Sequence, residues 1–232
     1  MSARYAIYYA PDPASELWRK GSAWLGRDAD TGMVRDQPVP RGFTAEAFAA
    51  MTADPRRYGF HGTLKAPFAL ADGATEQALL DCAARFAAGQ TPFSAAIAPQ
   101  ILGRFVAFRL VDSCPAMLEL HTRCVEHFEP FRKPLSDTDI ARRRQSALSP
   151  EQDARLLKWG YPHVLEGFRF HMTLSGSIAD ETERAAIHAV ACARFGAEPQ
   201  DHCFDSISVF HQPNSASPFT IIGRFGFGQS QS

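Results

Sequence analysis

The chain has 232 residues, 45% hydrophobic and 21% charged, a composition typical of a soluble globular protein with one sizeable core or two fused lobes. Its net charge of −1 argues against a general binder of nucleic acid or membrane surfaces, which needs a broad basic field. No apolar run approaches the ~18 residues of a membrane span, and Pro11 interrupts the N-terminal run too early for a signal peptide, so we expect a cytoplasmic protein. The five scattered cysteines predict reduced thiols, and we expect disorder only in the tail, residues 228–232.

Patterning in the first half of the chain predicts strands alternating with helices. An aromatic run ended by Pro11 predicts a strand over 4–9. Asp12 and Pro13 are typical of a helix start, and Gly26 closes that helix before a loop that extends to Gly42. The further predicted elements are a helix from Thr44 to Met51, a strand over 60–70, an amphipathic helix over 75–88, strands over 93–102 and 105–111, and a helix after Pro115.

The segment 132–163 has no counterpart elsewhere in the chain. Its capping boxes predict two short helices, at Ser136-Asp-Thr-Asp139 and at Ser149-Pro-Glu-Gln152. Between them lies the run Arg142-Arg143-Arg144, for which a solvated helix face is favoured over a phosphate clamp. The turn that contains Tyr161 follows the second helix and is the best candidate for a lid or a stacking platform. Beyond it we predict a strand over 169–175, a helix over 180–195 and strands over 204–210 and 219–227.

Two short stretches repeat a polar pair inside an apolar run. The first is Phe60-His-Gly-Thr-Leu64 and the second is Phe170-His-Met-Thr-Leu174. On a strand, residues two apart share one face at a separation of about 7 Å along the backbone, so each histidine lies beside its threonine. By the same alternation, Lys65 joins the face of the first pair, and Arg169 joins the face of the second. An imidazole beside a hydroxyl suits the binding of one small anionic group.

The sequence around the two motifs also repeats. His61 precedes Phe93 by 32 residues and His171 precedes Phe204 by 33, and each phenylalanine opens an alternating run. This spacing predicts two related lobes, at roughly 1–131 and 164–228, with 132–163 as an inserted helical segment.

The residue types favour acid and base catalysis by the two histidines. Imidazole has an unperturbed pKa near 6.5, so one histidine can accept a proton while the other donates one. Two threonine hydroxyls, helped by Lys65 or an arginine, would hold the non-bridging oxygens of a phosphate during phosphodiester cleavage without a metal. Metal catalysis is disfavoured because neither motif has an adjacent Asp, Glu or second His. The sequence also lacks a Gly-x-Ser-x-Gly elbow, a P-loop and a Gly-x-Gly-x-x-Gly fingerprint, and we expect no cofactor.

The paired motifs His61-Gly-Thr63-Leu64 and His171-Met-Thr173-Leu174 resemble the signature of the 2H phosphoesterase superfamily. The resemblance implies an α+β fold of two lobes with pseudo-twofold symmetry, in which antiparallel sheets line a central cleft and helices lie outside. It also implies that His61 and His171 are the catalytic acid and base and that Thr63 and Thr173 bind the phosphate.

The stretches Arg57-Tyr-Gly-Phe-His-Gly-Thr-Leu-Lys-Ala-Pro-Phe68 and Trp159-Gly-Tyr-Pro162 resemble a bacterial branch labelled as phosphonate metabolism proteins. We therefore expect a phosphodiesterase acting on a small cyclic phosphate or phosphoribosyl ester, with Tyr58, Tyr161, Lys65 and Arg169 as further substrate-binding candidates. The alternatives are processing of RNA 2′,3′-cyclic ends, which requires the arginine run to line the cleft, and a non-catalytic binder of nucleotides or phosphorylated metabolites. Nucleic acid is the less favoured substrate, and the oligomeric state is left open.

Overall fold

A computed structural model describes residues 3–228. The predicted tail disorder at 229–232 lies outside these residues. Within 3–228, the strands are β1 Arg4–Tyr9, β2 Gly62–Phe68, β3 Phe93–Leu102, β4 Phe105–Leu110, β5 His171–Thr173, β6 Gln200–Phe204, β7 Ser206–Gln212 and β8 Thr220–Gly226. The α-helices are α1 Glu16–Leu25, α2 Ala45–Met51, α3 Ala53–Tyr58, α4 Glu76–Ala88, α5 Pro115–His127, α6 Asp137–Arg144, α7 Pro150–Trp159 and α8 Glu181–Phe195.

The strands form one antiparallel sheet of eight, in the order β6-β3-β4-β5-β2-β1-β7-β8. The two motif strands, β2 and β5, occupy its centre, and three further strands lie outside each of them. Helices α4, α5 and α8 pack against the sheet. The predicted α+β class with antiparallel strands is therefore confirmed, and the sheets expected to line the cleft are one continuous sheet. Within residues 3–228, no helix combines the length and the apolar character needed to cross a membrane.

Each half of the sheet takes strands from both predicted lobes. β7 and β8, from the C-terminal part, extend the half that contains β1 and β2, and β6 extends the half that contains β3 and β4. The lobe boundaries themselves stay a prediction. Phe93 and Phe204, which mark equivalent points in the sequence repeat, are direct partners across β3 and β6, with ring centroids 5.3 Å apart.

Several elements differ from the prediction. Helix α1 begins at Glu16 with Ser15 as its N-cap, and not at Asp12 and Pro13, because the Ser15 side chain accepts from the Trp18 N–H. The strand expected over 204–210 corresponds to β7, which begins at Ser206. Phe204 does not open it but ends β6, and the chain leaves β6 at the exposed Asp205 before it continues as β7 in the other half of the sheet. Residues 53–58, to which no element was assigned, form α3 directly before the first motif. The two motif strands are shorter than predicted and begin at Gly62 and His171.

Local capping sets the bounds of the inserted helices as the sequence predicts. The Ser136 side chain accepts from the Asp139 N–H at the start of α6. Ser149 and Gln152 form a complete capping box at the start of α7. Gly160 ends α7 in the left-handed region with φ 73°, where glycine has no side chain to clash.

Candidate active site

The two motifs lie side by side at the centre of the sheet. Gly62 on β2 is the partner of Met172 on β5 in an antiparallel pair. This register sets His61 across from Thr173 and Thr63 across from His171, so each histidine has a threonine from the other motif as its neighbour. The intervening motif residues pack into the core on the opposite face, namely Phe60, Leu64, Phe170, Met172 and Leu174. The predicted alternation of the motifs is confirmed.

The His61 ring is fixed by contacts on three sides. Its Nδ1 lies 2.9 Å from the Gly59 carbonyl oxygen, which can only accept, so Nδ1 donates and Nε2 carries the free lone pair of the neutral ring. Nε2 lies 3.3 Å from the Thr63 hydroxyl. The Tyr8 ring stacks on the imidazole with centroids 3.9 Å apart. Burial, with a smaller contribution from His171, lowers the pKa of His61 to about 4, so the ring is neutral at pH 7.

His171 repeats this arrangement. Its Nδ1 lies 2.7 Å from the Arg169 carbonyl oxygen. Arg169 is two residues before His171, and Gly59 is likewise two residues before His61. Nε2 of the neutral ring is again the nitrogen with a free lone pair. Burial lowers the pKa of His171, and the positive charge of Arg109 on β4 lowers it further. The two imidazoles therefore face the same side of the sheet in the same tautomer.

A cleft of about 270 Å³ opens over the motifs. It brings together five of the predicted site residues: His61, Thr63, Thr173, Tyr58 and Tyr161. The sequence analysis did not select its other lining residues as site residues, and these are Arg4, Tyr8, Ala66, Pro67 and Arg143. The alternation of β1 could have indicated Arg4 and Tyr8, because residues 4, 6 and 8 of a strand share one face.

Lys65 lies on the opposite face of the sheet from the one predicted. Between Tyr8 and Ile7 the partner changes from Thr63 to Lys65, so β2 advances two residues while β1 advances one. This bulge turns Lys65 toward α5. Its Nζ donates to the Val125 carbonyl at 2.7 Å and pairs with Glu129 at 2.8 Å, and the residue is 3% exposed. The expectation that Lys65 shares the face of His61 is therefore wrong.

The Arg169 side chain also turns away from this cleft. Its guanidinium donates to the carbonyls of Glu166 and Phe168, on its own loop, and lines a separate cavity with Arg109. The structure gives Arg169 a different contact with the site, through the backbone carbonyl that orients His171.

The arginine run divides between solvent and cleft. Arg142 pairs with Asp139 at 2.7 Å, and Arg144 pairs with Asp153 at 2.7 Å, both on the exposed surface. Arg143 points into the cleft, where its guanidinium carbon lies 5.7 Å from the centroid of Tyr161. The favoured interpretation as a solvated face is correct for the two outer arginines and wrong for Arg143.

A family model described as "Protein of unknown function (DUF1045)" matches residues 63–220. Two curated relatives share the name "Ribose 1,5-bisphosphate phosphokinase PhnN". The protein from Janthinobacterium sp. (strain Marseille) is 35% identical over 98% of this chain and 52% of its own length, and that from Laribacter hongkongensis (strain HLHK9) is 36% identical over 94% and 50%. The chain thus spans about half the length of these relatives. Among solved structures, E. coli LigT complexed with 3′-AMP matches with 12% identity over 99% of this chain and 100% of its own, at a TM-score of 0.47.

Proposed function

The chain belongs to the DUF1045 family, and from this premise we propose that it is a phosphodiesterase that uses His61 and His171 as its general acid and base. The observation that carries the proposal is the crossed arrangement of the motifs. Each imidazole is held by a carbonyl at Nδ1, presents Nε2 to the same face, and neighbours a threonine of the other motif. A group bound between the two threonines would lie beside His61 in the cleft, on the face of the sheet to which His171 also belongs.

The proposed reaction is hydrolysis of a phosphodiester. One neutral imidazole takes a proton from water at Nε2 while the water oxygen forms a bond to phosphorus. The P–O bond on the opposite side breaks, and the leaving oxygen receives a proton from the other, protonated imidazole. The hydroxyls of Thr63 and Thr173 donate to the non-bridging oxygens. Since both tasks are performed by side chains, the reaction needs no metal ion.

Burial supports the role of base for a histidine in this site. The lowered pKa of His61 keeps its Nε2 unprotonated at neutral pH. A bound phosphate diester brings a negative charge next to both rings and favours the protonated form of one of them. Substrate binding thus generates the acid, while the other ring remains the base.

The size of the cleft and the relatives support a small substrate. A volume of about 270 Å³ is at the lower end of ligand pockets, which suits a pentose phosphate or a single nucleotide. The chain also matches about half the length of each of two proteins whose names include ribose 1,5-bisphosphate. We therefore propose a small cyclic phosphate or phosphoribosyl ester as substrate, in phosphonate metabolism.

A screen of the EDTA-treated protein tests this function. Cyclic ribose phosphates, 2′,3′-cyclic nucleotides and short cyclic-ended RNAs are incubated with protein, and the products are followed by phosphorus NMR. We expect turnover in chelator, and a loss of about 10²–10⁴-fold in kcat for His61→Ala and for His171→Ala. His127→Ala is the matched control, because His127 is exposed on α5 and does not line the cleft. Equal activity in all four proteins would refute the two-histidine mechanism.

The same screen separates the alternatives. Preference for cyclic-ended RNA over small esters would favour RNA end processing, although of the three arginines in the run only Arg143 lines the cleft within residues 3–228. Tight binding of a nucleotide monophosphate, with no cleavage of any diester, would favour the non-catalytic binder.

A further inference from the structure

The cleft carries two positive charges that no acidic lining residue balances. Arg4 and Arg143 both contribute to its wall, and the described lining residues include no Asp or Glu. The whole chain has a net charge of −1, so this positive character is local. Two guanidinium groups in a concave site without a carboxylate favour the binding of an anion.

Arg4 is held in place by a neutral partner. Its Nε lies 2.8 Å from the Gln212 side-chain oxygen, and the amide of Gln212 is oriented by donating to the Ser217 carbonyl at 2.6 Å. The guanidinium also lies 5.4 Å from the centroid of Phe219. These contacts fix the position of the guanidinium and leave its charge uncompensated.

Arg143 has unused hydrogen-bonding capacity. Its Nε is buried and has no hydrogen-bond partner in the described part of the chain. Burial is the largest influence on the pKa of Arg143 and lowers it; the charges of Arg142 and Arg4 act in the same direction, and Tyr161 and Asp139 act against it. Arg142 and Arg144, its neighbours on α6, each pair with an aspartate, so the residue that faces the cleft is the one without a carboxylate. A bound anion would supply the missing partner.

The backbone of Arg4 lies several residues along β1 from the level of the first motif. Tyr8 stacks on His61 and is the strand partner of Thr63. Arg4 precedes Tyr8 by four residues on β1, which places its Cα about 13 Å along the strand from that of Tyr8. Tyr8, Tyr58 and Tyr161 line the cleft that contains Arg4, Arg143 and His61, and His171 is not among its described lining residues.

We propose that Arg4 and Arg143 form a second anion subsite, which binds a phosphomonoester group of the substrate while its diester lies between the two motifs. The inference rests on the proposed function and narrows it. The substrate is a sugar phosphodiester that carries a separate terminal phosphate, and the sugar lies between the tyrosines. Arg4 and Arg143 are then specificity-determining residues that select phosphorylated over unphosphorylated sugars.

The first experiment measures binding without turnover. Ribose 5-phosphate has a phosphomonoester and no diester, so a comparison of its affinity between the wild-type protein and the arginine variants reports on the subsite without turnover. Calorimetric titration is expected to show binding that ribose lacks, weakened about 10- to 100-fold in Arg143→Gln and in Arg4→Lys, since each change removes a charge-assisted hydrogen bond. Arg142→Gln, on the same helix and paired on the surface, is the matched control and should bind as the wild type does. Unchanged affinity in Arg143→Gln would overturn the proposal.

The second experiment compares two substrates. The value of kcat/KM is measured for a cyclic ribose phosphate with and without a 5-phosphate, in the wild-type protein and in Arg143→Gln. We expect the substitution to lower kcat/KM about 10- to 100-fold more for the phosphorylated substrate than for the unphosphorylated one. An equal loss for both substrates would show that Arg143 acts on the scissile phosphate, and would overturn the subsite.

The two experiments separate the subsite from the function on which it rests. If ribose 5-phosphate binds through Arg143 but no diester is cleaved, the subsite is supported and the phosphodiesterase proposal fails. If diesters are cleaved with no preference for a terminal phosphate, the function is supported and the subsite is refuted.

Discussion

Glu129→Gln tests the ion pair that the bulge in β2 creates beneath the active-site strands. Lys65 is 3% exposed, and its ammonium has two partners, Glu129 at 2.8 Å and the Val125 carbonyl at 2.7 Å. Burial lowers the pKa of Lys65, and the Glu129 carboxylate opposes this shift. Removing one partner of a buried pair leaves an uncompensated charge, which costs about 3–5 kcal/mol. We therefore expect the free energy of unfolding to fall by about 3–5 kcal/mol in Glu129→Gln.

Urea unfolding at pH 7 measures the effect, and a double-mutant cycle assigns it. Lys65→Met combined with Glu129→Gln removes the ammonium that the single change leaves unpaired, so the double variant should be more stable than Glu129→Gln. Lys133→Met is the matched control, because its pair with Asp72 is exposed and should contribute about 1 kcal/mol or less. A cost below about 1 kcal/mol for Glu129→Gln, or additive effects in the double variant, would refute the reasoning.

The same substitution should also change substrate binding. Arg132 bonds to Glu129 at 2.6 Å and to the Lys158 carbonyl at 3.2 Å, and Lys158 lies three residues before Tyr161. Glu129 thus connects the underside of β2 to the turn that supplies one wall of the cleft. We expect a raised KM in Glu129→Gln with a smaller change in kcat, because the histidines keep their own carbonyl contacts.

Three further predictions concern the groups around the histidines. Gly59→Ala should destabilise the protein by more than Gly73→Ala. Both glycines have φ near +84°, but only a Cβ at 59 would meet another atom, Ala29 Cβ at 2.4 Å. Equal losses of the free energy of unfolding in urea would contradict this. The free energy of unfolding should decrease as the pH falls. Folding lowers the pKa of His61 and of His121 to about 4, so the folded protein binds fewer protons than the unfolded chain. The contribution of each histidine to the free energy of unfolding is complete above pH 6.5 and declines by about 3 kcal/mol as the pH falls to 4. His121→Gln should unfold with a weaker acid dependence, and an unchanged slope would exclude His121 as a source. The kcat/KM of the enzyme should decrease with rising pH from below pH 6.5, because the acid histidine must be protonated and burial lowers its pKa; a profile that rises through pH 7 would contradict this.

Local signals in the sequence predict most of the helices and the nature of the two motifs. Capping residues act on backbone groups within the next turn, so Ser136 and Ser149 specify the starts of α6 and α7 without tertiary information. Alternation likewise predicts that Phe60 and Leu64 are buried while His61 and Thr63 share the other face. Both are confirmed because they depend on neighbours in the chain.

The predictions that fail depend on partners distant in the sequence. Lys65 follows the alternation of its own strand, and only the pairing of β2 with β1 introduces the bulge that reverses its direction. The residue is then tolerated in the interior because Glu129, 64 positions later, supplies a carboxylate. No pattern within β2 indicates either the bulge or the partner.

The arginine run shows how far a local pattern reaches. Asp139 lies three residues before Arg142, a spacing that brings the two side chains together on a helix, so this surface pair could have been predicted. On a helix of 3.6 residues per turn, Arg143 must then point about 100° away from Arg142. Whether this direction leads to solvent or to the cleft depends on how α6 lies over the sheet. Only the fold shows that the Arg143 side chain points toward Tyr161 and the cleft.

The placement of the motifs follows from the order of the strands. If β2 and β5 belonged to separate sheets, each histidine would have only the threonine of its own motif nearby. In the single sheet the two strands are antiparallel neighbours, and the register of Gly62 with Met172 gives each histidine a threonine from both motifs. An anion between the strands can therefore be held from two sides. The sequence repeat indicates that the halves are related, but the crossing that makes one site from two motifs is a property of the sheet.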